Sequence, residues 1–219
     1  LKGFQSTNSL LPKLKPFLFV FRILALSSLI VALARPRTVD VSSKTKTTQG
    51  IDIVMAIDVS GSMLAKDLKP NRMEALKRVA ADFVEQRPND RIGIVVYASE
   101  AYTKTPVTSD KPLILDAISS KKYDNGLKDG TGIGMGLTTA VNRLKDSKAK
   151  SKVIILMTDG VNNAGFIEPE TASDIAQQYG IKVYTIGIGT NGMASSPYAY
   201  APNGKSFLYR MMPVEIDEK

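Results

Sequence analysis

From residue 51 onward the chain alternates short, continuous apolar runs with segments whose apolar residues recur every three or four positions. The runs 51–59, 91–98, 152–158 and 181–188 are strand-sized and apolar at successive positions, as strands buried on both faces must be. Between them, 71–86, 111–118, 131–144 and 169–179 carry helical spacing, the first through Met73, Leu76, Val79, Ala80 and Phe83. Helix ends are marked too: Asp110 stands as an N-cap before Pro112, and Gly180 follows the last helix as a C-cap. Residues 101–107 read as a short strand beside 91–98. Buried strands alternating with amphipathic helices predict an α/β fold, a doubly wound, mostly parallel sheet with helices on both faces. After Gly189 the pattern changes. "SPYAYAPNGKSFLYRM" places two Tyr-bearing stretches around Asn203-Gly204, the signal of a hairpin over about 196–210. "PVEIDEK", which follows, reads as the beginning of another helix.

One run is of a different kind. Residues 17–34, "FLFVFRILALSSLIVALA", hold a single charge, Arg22, between Pro16 and Arg35-Pro36. As a helix the run reaches roughly 27 Å, against a hydrocarbon core of about 30 Å. With almost no polar face it reads as a transmembrane helix over 17–35, and Arg22 near one end can reach the interface. An amphipathic or buried helix of a soluble domain is the alternative. A secretory signal fits less well, because 16 residues precede the run and no clean small-x-small site follows it. The expected organisation is a basic segment 1–16, the hydrophobic helix, a polar Ser/Thr/Lys linker over 36–50 and a domain over 51–219.

Charge sharpens that division. The net charge is +8, yet residues 1–50 hold Lys2, Lys13, Lys15, Arg22, Arg35, Arg37, Lys44 and Lys46 against Asp40 alone. The folded part is therefore nearly neutral and offers no basic face for a nucleic acid. Lysines and arginines flank the apolar run on both sides, so charge does not decide which side of a membrane the domain faces. The chain has no cysteine and no histidine. Disulfides, thiolate sites and the commonest general base are excluded, and a metal here must be held by oxygen, which favours Mg²⁺, Mn²⁺ or Ca²⁺. The first residue is Leu1 instead of Met, as expected of a processed chain or a fragment.

In an open parallel sheet, ligands bind beyond the carboxyl ends of the strands. There the sequence puts oxygen. The run 51–59 ends in "DVSGS", delivering Asp58, Ser60 and Ser62, with Gly61 expected to let the backbone curl. The run 152–158 ends in "TDG", delivering Asp159, and a glycine-rich loop, "DGTGIGMG", delivers Thr131 at the start of a helix. Two carboxylates and three hydroxyls suit near-octahedral Mg²⁺ with a place left open.

The Asp-x-Ser-x-Ser, Thr and Asp-Gly pieces, about 70 and about 28 residues apart, closely resemble the metal-ion-dependent adhesion site of von Willebrand factor A domains, over about residues 51–190. The resemblance implies a Rossmann-like fold in which Asp58, Ser60, Ser62, Thr131 and Asp159 hold Mg²⁺, directly or through water, and an Asp or Glu of a protein partner fills the open position. With a membrane helix shortly before such a domain, the chain resembles the bacterial Bat-type aerotolerance proteins of the BatA kind. That implies an inner-membrane protein with a periplasmic domain, other Bat-type proteins and a MoxR-type ATPase system as partners, and no enzymatic activity. It also implies that a full A domain would continue past Lys219 into a final helix and strand.

Other readings compete. Asp58, Ser60 and Ser62 can be turn residues, and Asp129 reads better as a solvated loop acid than as an outer ligand. "GIGTNG" matches a dinucleotide fingerprint, but "MASSPYAY" follows it where a helix should. A metal-assisted hydrolase lacks an evident base, and an aspartyl phosphotransferase wants a second Asp where Ser60 stands. A structural domain with a non-functional site completes the set. Met73, Met135 and Met157 are expected in the core, while Tyr198, Tyr200, Phe207 and Tyr209 either pack the hairpin or face a partner.

Overall fold

A computed structural model describes residues 11–34, 50–120, 128–160, 162–202 and 206–214. The chain divides into two units, residues 1–46 and 47–219. Described within the first is one helix, α1 (Leu11–Ala34), whose apolar stretch Pro16–Ala34 is long enough to cross a membrane and shows no buried face. The hydroxyls of Ser27 and Ser28 donate to the Leu24 carbonyl at 3.0 and 2.6 Å, so the two polar residues satisfy themselves within the helix. α1 starts earlier than the apolar run. Pro16 lies inside it instead of preceding it, because proline's fixed φ is already helical and what is lost is one backbone hydrogen bond. The expected linker falls almost wholly outside the described residues.

The second unit is built on a five-stranded sheet of order β3-β2-β1-β4-β5, formed by β1 (Asp52–Asp58), β2 (Arg91–Tyr97), β3 (Ala101–Thr108), β4 (Lys152–Thr158) and β5 (Ile181–Gly187). All neighbours run parallel except β2 and β3, so the sheet is mostly parallel with one antiparallel edge. The helices α2 (Arg72–Glu85) and α3 (Lys111–Ser119) cover one face, and α4 (Ile133–Leu144) and α5 (Pro169–Gln178) the other. Every residue of β1 is buried. Ile53, Met55 and Ile57 pack with Met73, Leu76 and Val84, while Val54 and Ala56 pack with Leu137, Val141 and Leu144. This two-sided burial is why the strand reads as an unbroken apolar run. Gly136 lets α4 down onto the sheet, where a Cβ would stand 2.5 Å from the Tyr97 ring, and Gly134 lets the loop before α5 approach, where a Cβ would overlap the Ile167 carbonyl. Met73 and Met157 are in the core as expected, and Met135 is half-buried.

The aromatic-rich segment forms an antiparallel hairpin, β6 (Gly192–Tyr200) with β7 (Phe207–Val214). It is longer than the sequence implied. Pro213 and Val214, expected to begin a helix, pair with Met193 and Gly192; proline is tolerated there because it sits on an edge strand near the end of the ladder. The Asn203-Gly204 turn and the last five residues lie outside the described residues.

The strand order reverses at β1. The chain leaves it towards β2 and returns on its other side as β4. A crevice therefore opens at the carboxyl ends of β1 and β4, where Asp58 and Asp159 stand.

Candidate metal centre

Asp58 closes β1 with no solvent exposure. Its Oδ1 accepts from the Ser60 N–H at 2.9 Å and its Oδ2 from the Thr158 hydroxyl at 2.9 Å. Ser60 and Ser62 flank Gly61 on a short 3₁₀ turn (Gly61–Leu64), with their Oγ atoms 3.0 Å apart. The Ser62 hydroxyl donates to Asp159 Oδ1 at 2.8 Å. Four of the five expected donors thus form one hydrogen-bonded cluster. Gly61 opens the 3₁₀ turn and is not among the glycines with positive φ, so its role is in that turn, not in a left-handed kink.

Thr131 arrives from a third loop, held by residues the sequence reading passed over. α4 has Gly132 at its N-cap and so no side chain of its own to cap it. The loop after Asp159 supplies the caps: Asn163 Oδ1 accepts from the Thr131 N–H and Asn162 Oδ1 from the Ile133 N–H, both at 2.8 Å. The Thr131 carbonyl accepts from the Asn163 and Ala164 N–H groups. With its backbone engaged, Thr131 has the hydroxyl left to present. Asp129 is exposed but not merely solvated. Its Oδ1 accepts from the Gly61 N–H at 2.8 Å and the Gly130 N–H at 2.9 Å, tying the Thr131 loop to the Ser60–Ser62 turn.

Burial pushes the Asp58 carboxyl up to about 7; the charge of Asp159 adds to this, and the bonds from Ser60 and Thr158 hold it back. Among the described residues no cationic side chain bonds Asp58. Asp159 does have one: Arg72 Nη1 donates to its Oδ2 at 2.8 Å. Neither Arg72 nor its second acid, Asp67, stood out in the sequence.

A groove of about 360 Å³ opens beside the cluster. Gly61, Ser62 and Asp129 line one side, and Tyr198, Phe207 and Met212 of the hairpin the other. The hairpin is fastened to the 3₁₀ turn region, where the Lys66 N–H donates to the Ser195 carbonyl at 3.0 Å and Lys66 Nζ lies 3.9 Å from the Tyr209 ring centroid. So the aromatics divide: Tyr209 packs under Lys66, whereas Tyr198 is 55% exposed along the groove.

The model of the von Willebrand factor type A domain matches residues 52–211, and the chain belongs to that family. Among solved structures it is similar to BatB of Bacteroides thetaiotaomicron, at 30% identity and a TM-score of 0.67, over 77% of this chain and 82% of that one. An aerotolerance-related membrane protein of Bacteroides fragilis is alike at 28% identity, with the same TM-score, over 77% and 83% of the two chains. An uncharacterised protein of Borreliella burgdorferi is 34% identical over 180 residues, 80% of this chain and 51% of its own length. The chain spans about half the length of the curated relatives it matches. The structural likeness runs to BatB where the sequence reading named BatA; both are of the Bat type. The apolar α1 and the membrane-protein relative support association with a membrane.

Proposed function

We propose that this domain is a divalent-cation-dependent adhesion module, anchored to the bacterial inner membrane through α1 and facing the periplasm, and that it serves a Bat-type stress-tolerance assembly without catalysing a reaction. The observation that carries the reading is Asp58. It is a wholly buried acid that no cationic side chain among the described residues bonds, set among the oxygen atoms of Ser60, Ser62 and Asp159. Isolating a carboxylate in this way is costly unless a cation is brought to it. Asp58, Ser60, Ser62, Thr131 and Asp159 would hold the ion, with Mg²⁺ the best match and Mn²⁺ or Ca²⁺ as alternatives. Once bound, such an ion supplies a positive point to which a partner's Asp or Glu attaches. A single carboxylate gives up its own hydration in doing so, and the remaining affinity must come from the surrounding surface. The groove offers that surface, with the apolar hairpin wall and, on the same hairpin, the buried Ser196 Oγ, which has no hydrogen-bond partner among the described residues. A protein partner is expected to lay an acidic residue at the floor and an apolar neighbour against Tyr198 and Met212; other Bat-type proteins and a MoxR-type ATPase system are the candidates.

The test is calorimetric titration of the chelator-stripped protein with Mg²⁺. One ion is expected to bind, and Asp58→Ala should abolish the heat. Unchanged affinity in that variant would sink the assignment, and partner capture at full strength in EDTA would refute the adhesion mechanism.

A further inference from the structure

Arg72 stands beside the candidate donors and lines the same groove, 2% exposed, as the first residue of α2. A cation is unfavourable at a helix N-terminus, so α2 itself does not explain its position. Two acids do. Its Nη1 donates to Asp159 Oδ2 at 2.8 Å, while Nε and Nη2 each donate to Asp67 at 2.8 Å. Asp67 is fixed in turn by the Thr190 N–H at 2.8 Å. On the remaining side sits Gly189 at φ +146; a Cβ there would stand 2.8 Å from Arg72 Cζ. The guanidinium is therefore clamped by two carboxylates and a strand-end backbone. Its hold on Oδ2 leaves Asp159 one free oxygen, Oδ1, which is the atom the Ser62 hydroxyl meets. Thr190 stands two residues before β6, so the same clamp also fixes the base of the hairpin wall.

We infer that Arg72 is a positioning residue of the metal centre: it turns Asp159 so that Oδ1 alone faces the cation, and it compensates that acid so that Asp58 carries the uncompensated charge. This rests on the cation-binding reading above. Metal ligands depend on such outer partners, whose loss typically lowers metal affinity 10- to 100-fold.

Two glycines make the test. Gly189 and Gly192 have nearly equal φ, +146 and +141, but a Cβ at Gly192 meets nothing within 4 Å. Gly189→Ala and Gly192→Ala therefore carry similar backbone strain, and the first alone displaces the guanidinium without changing any charge. Mg²⁺ titration calorimetry is run on wild type and both variants, at a temperature where circular dichroism shows each folded. Affinity about 10-fold weaker in Gly189→Ala, with Gly192→Ala close to wild type, supports the assignment. Should Gly189→Ala fail to fold, Asp67→Asn releases the outer anchor of Arg72, and the same 10-fold weakening is expected. Wild-type affinity in the folded variants, whatever their melting temperatures, reduces Arg72 to a structural ion pair and overturns the inference alone. A wild-type protein that gives no Mg²⁺ heat overturns the cation-binding reading, and this inference with it.

Discussion

β1 begins and ends on a buried aspartate, and the two are treated in opposite ways. Asp52, 2% exposed, meets Arg91, which donates to it through Nε at 2.8 Å and also through Nη2; the Ser147 hydroxyl donates at 2.5 Å. Burial would raise this carboxyl, but the bonds from Arg91 and Ser147 outweigh it and hold it below the ordinary value. Asp58 is the more deeply buried of the two and is raised to about 7, first by that burial, which only neutral donors oppose, and then by the negative charge of Asp159. One strand thus carries an acid supplied with its cation by the chain and an acid left without one. The first is architecture. The second lies at the carboxyl end of the sheet, where open parallel sheets generally take their ligands, and groups perturbed in this way cluster at functional sites.

The largest test of that contrast is the pH profile of the metal-free domain. Folded, Asp58 binds its proton more tightly than unfolded, so stability falls as pH climbs from the ordinary carboxyl value of 3.8 to about 7. At roughly 1.4 kcal/mol per unit the loss approaches ~4 kcal/mol by pH 8. Urea unfolding in chelator at pH 5 and pH 8 should show about 3 kcal/mol of it, roughly two pH units of the titration, and Asp58→Asn should remove most of the slope. A flat wild-type profile would erase the distinction between the two acids.

Asp52 should behave in the opposite sense. Its lowered carboxyl contributes stability above the unfolded value, and this is lost as pH falls through the folded one. Asp52→Asn is expected to lower stability at pH 7 by about 1–2 kcal/mol, the exposed Arg91 keeping it modest, or roughly 2–4 °C of melting temperature per kcal/mol. Mg²⁺ affinity should not change, and a weakened affinity would break the division of labour.

The smallest effect sharpens the Asp58 end. Thr158→Val removes the hydroxyl that donates to Asp58 Oδ2 at 2.9 Å, a bond of about 1 kcal/mol. The carboxyl should rise further and Mg²⁺ binding at pH 7 should weaken roughly three-fold, the gap to wild type narrowing by pH 8.5.

The doubly wound sheet was legible because β1, β2 and β4 are buried on both faces and so are apolar at successive positions. The meeting of Asp58, Ser60, Ser62 and Asp159 was legible because parallel strands bring their carboxyl ends to one edge, so that residues far apart in sequence become neighbours. The supporting residues were not. Arg72 and Asp67 lie five positions apart in a stretch with other lysines and acids, and nothing in that pattern separates a buried guanidinium from a solvated one. Asn162 and Asn163 cap a helix that lies earlier in the chain, a relation with no local spacing. Asp129 read as solvated because its bond to the Gly61 N–H depends on two loops meeting. The hairpin was found from its turn signal, but its length depended on a ladder that alternation alone did not delimit.

The groove joins two kinds of surface, and they differ in more than polarity. Its floor offers carboxylate and hydroxyl oxygens from a chain without cysteine or histidine. Its wall carries thioethers: Met212 lines the groove, with Met193 and Met211 exposed on the same hairpin at 62% and 57%. Peroxide converts a thioether to a polar sulfoxide, a change that methionine sulfoxide reductases reverse, and it leaves carboxylates and hydroxyls intact. Oxidant exposure therefore rewrites the apolar half of the groove and spares the half that carries the candidate cation donors.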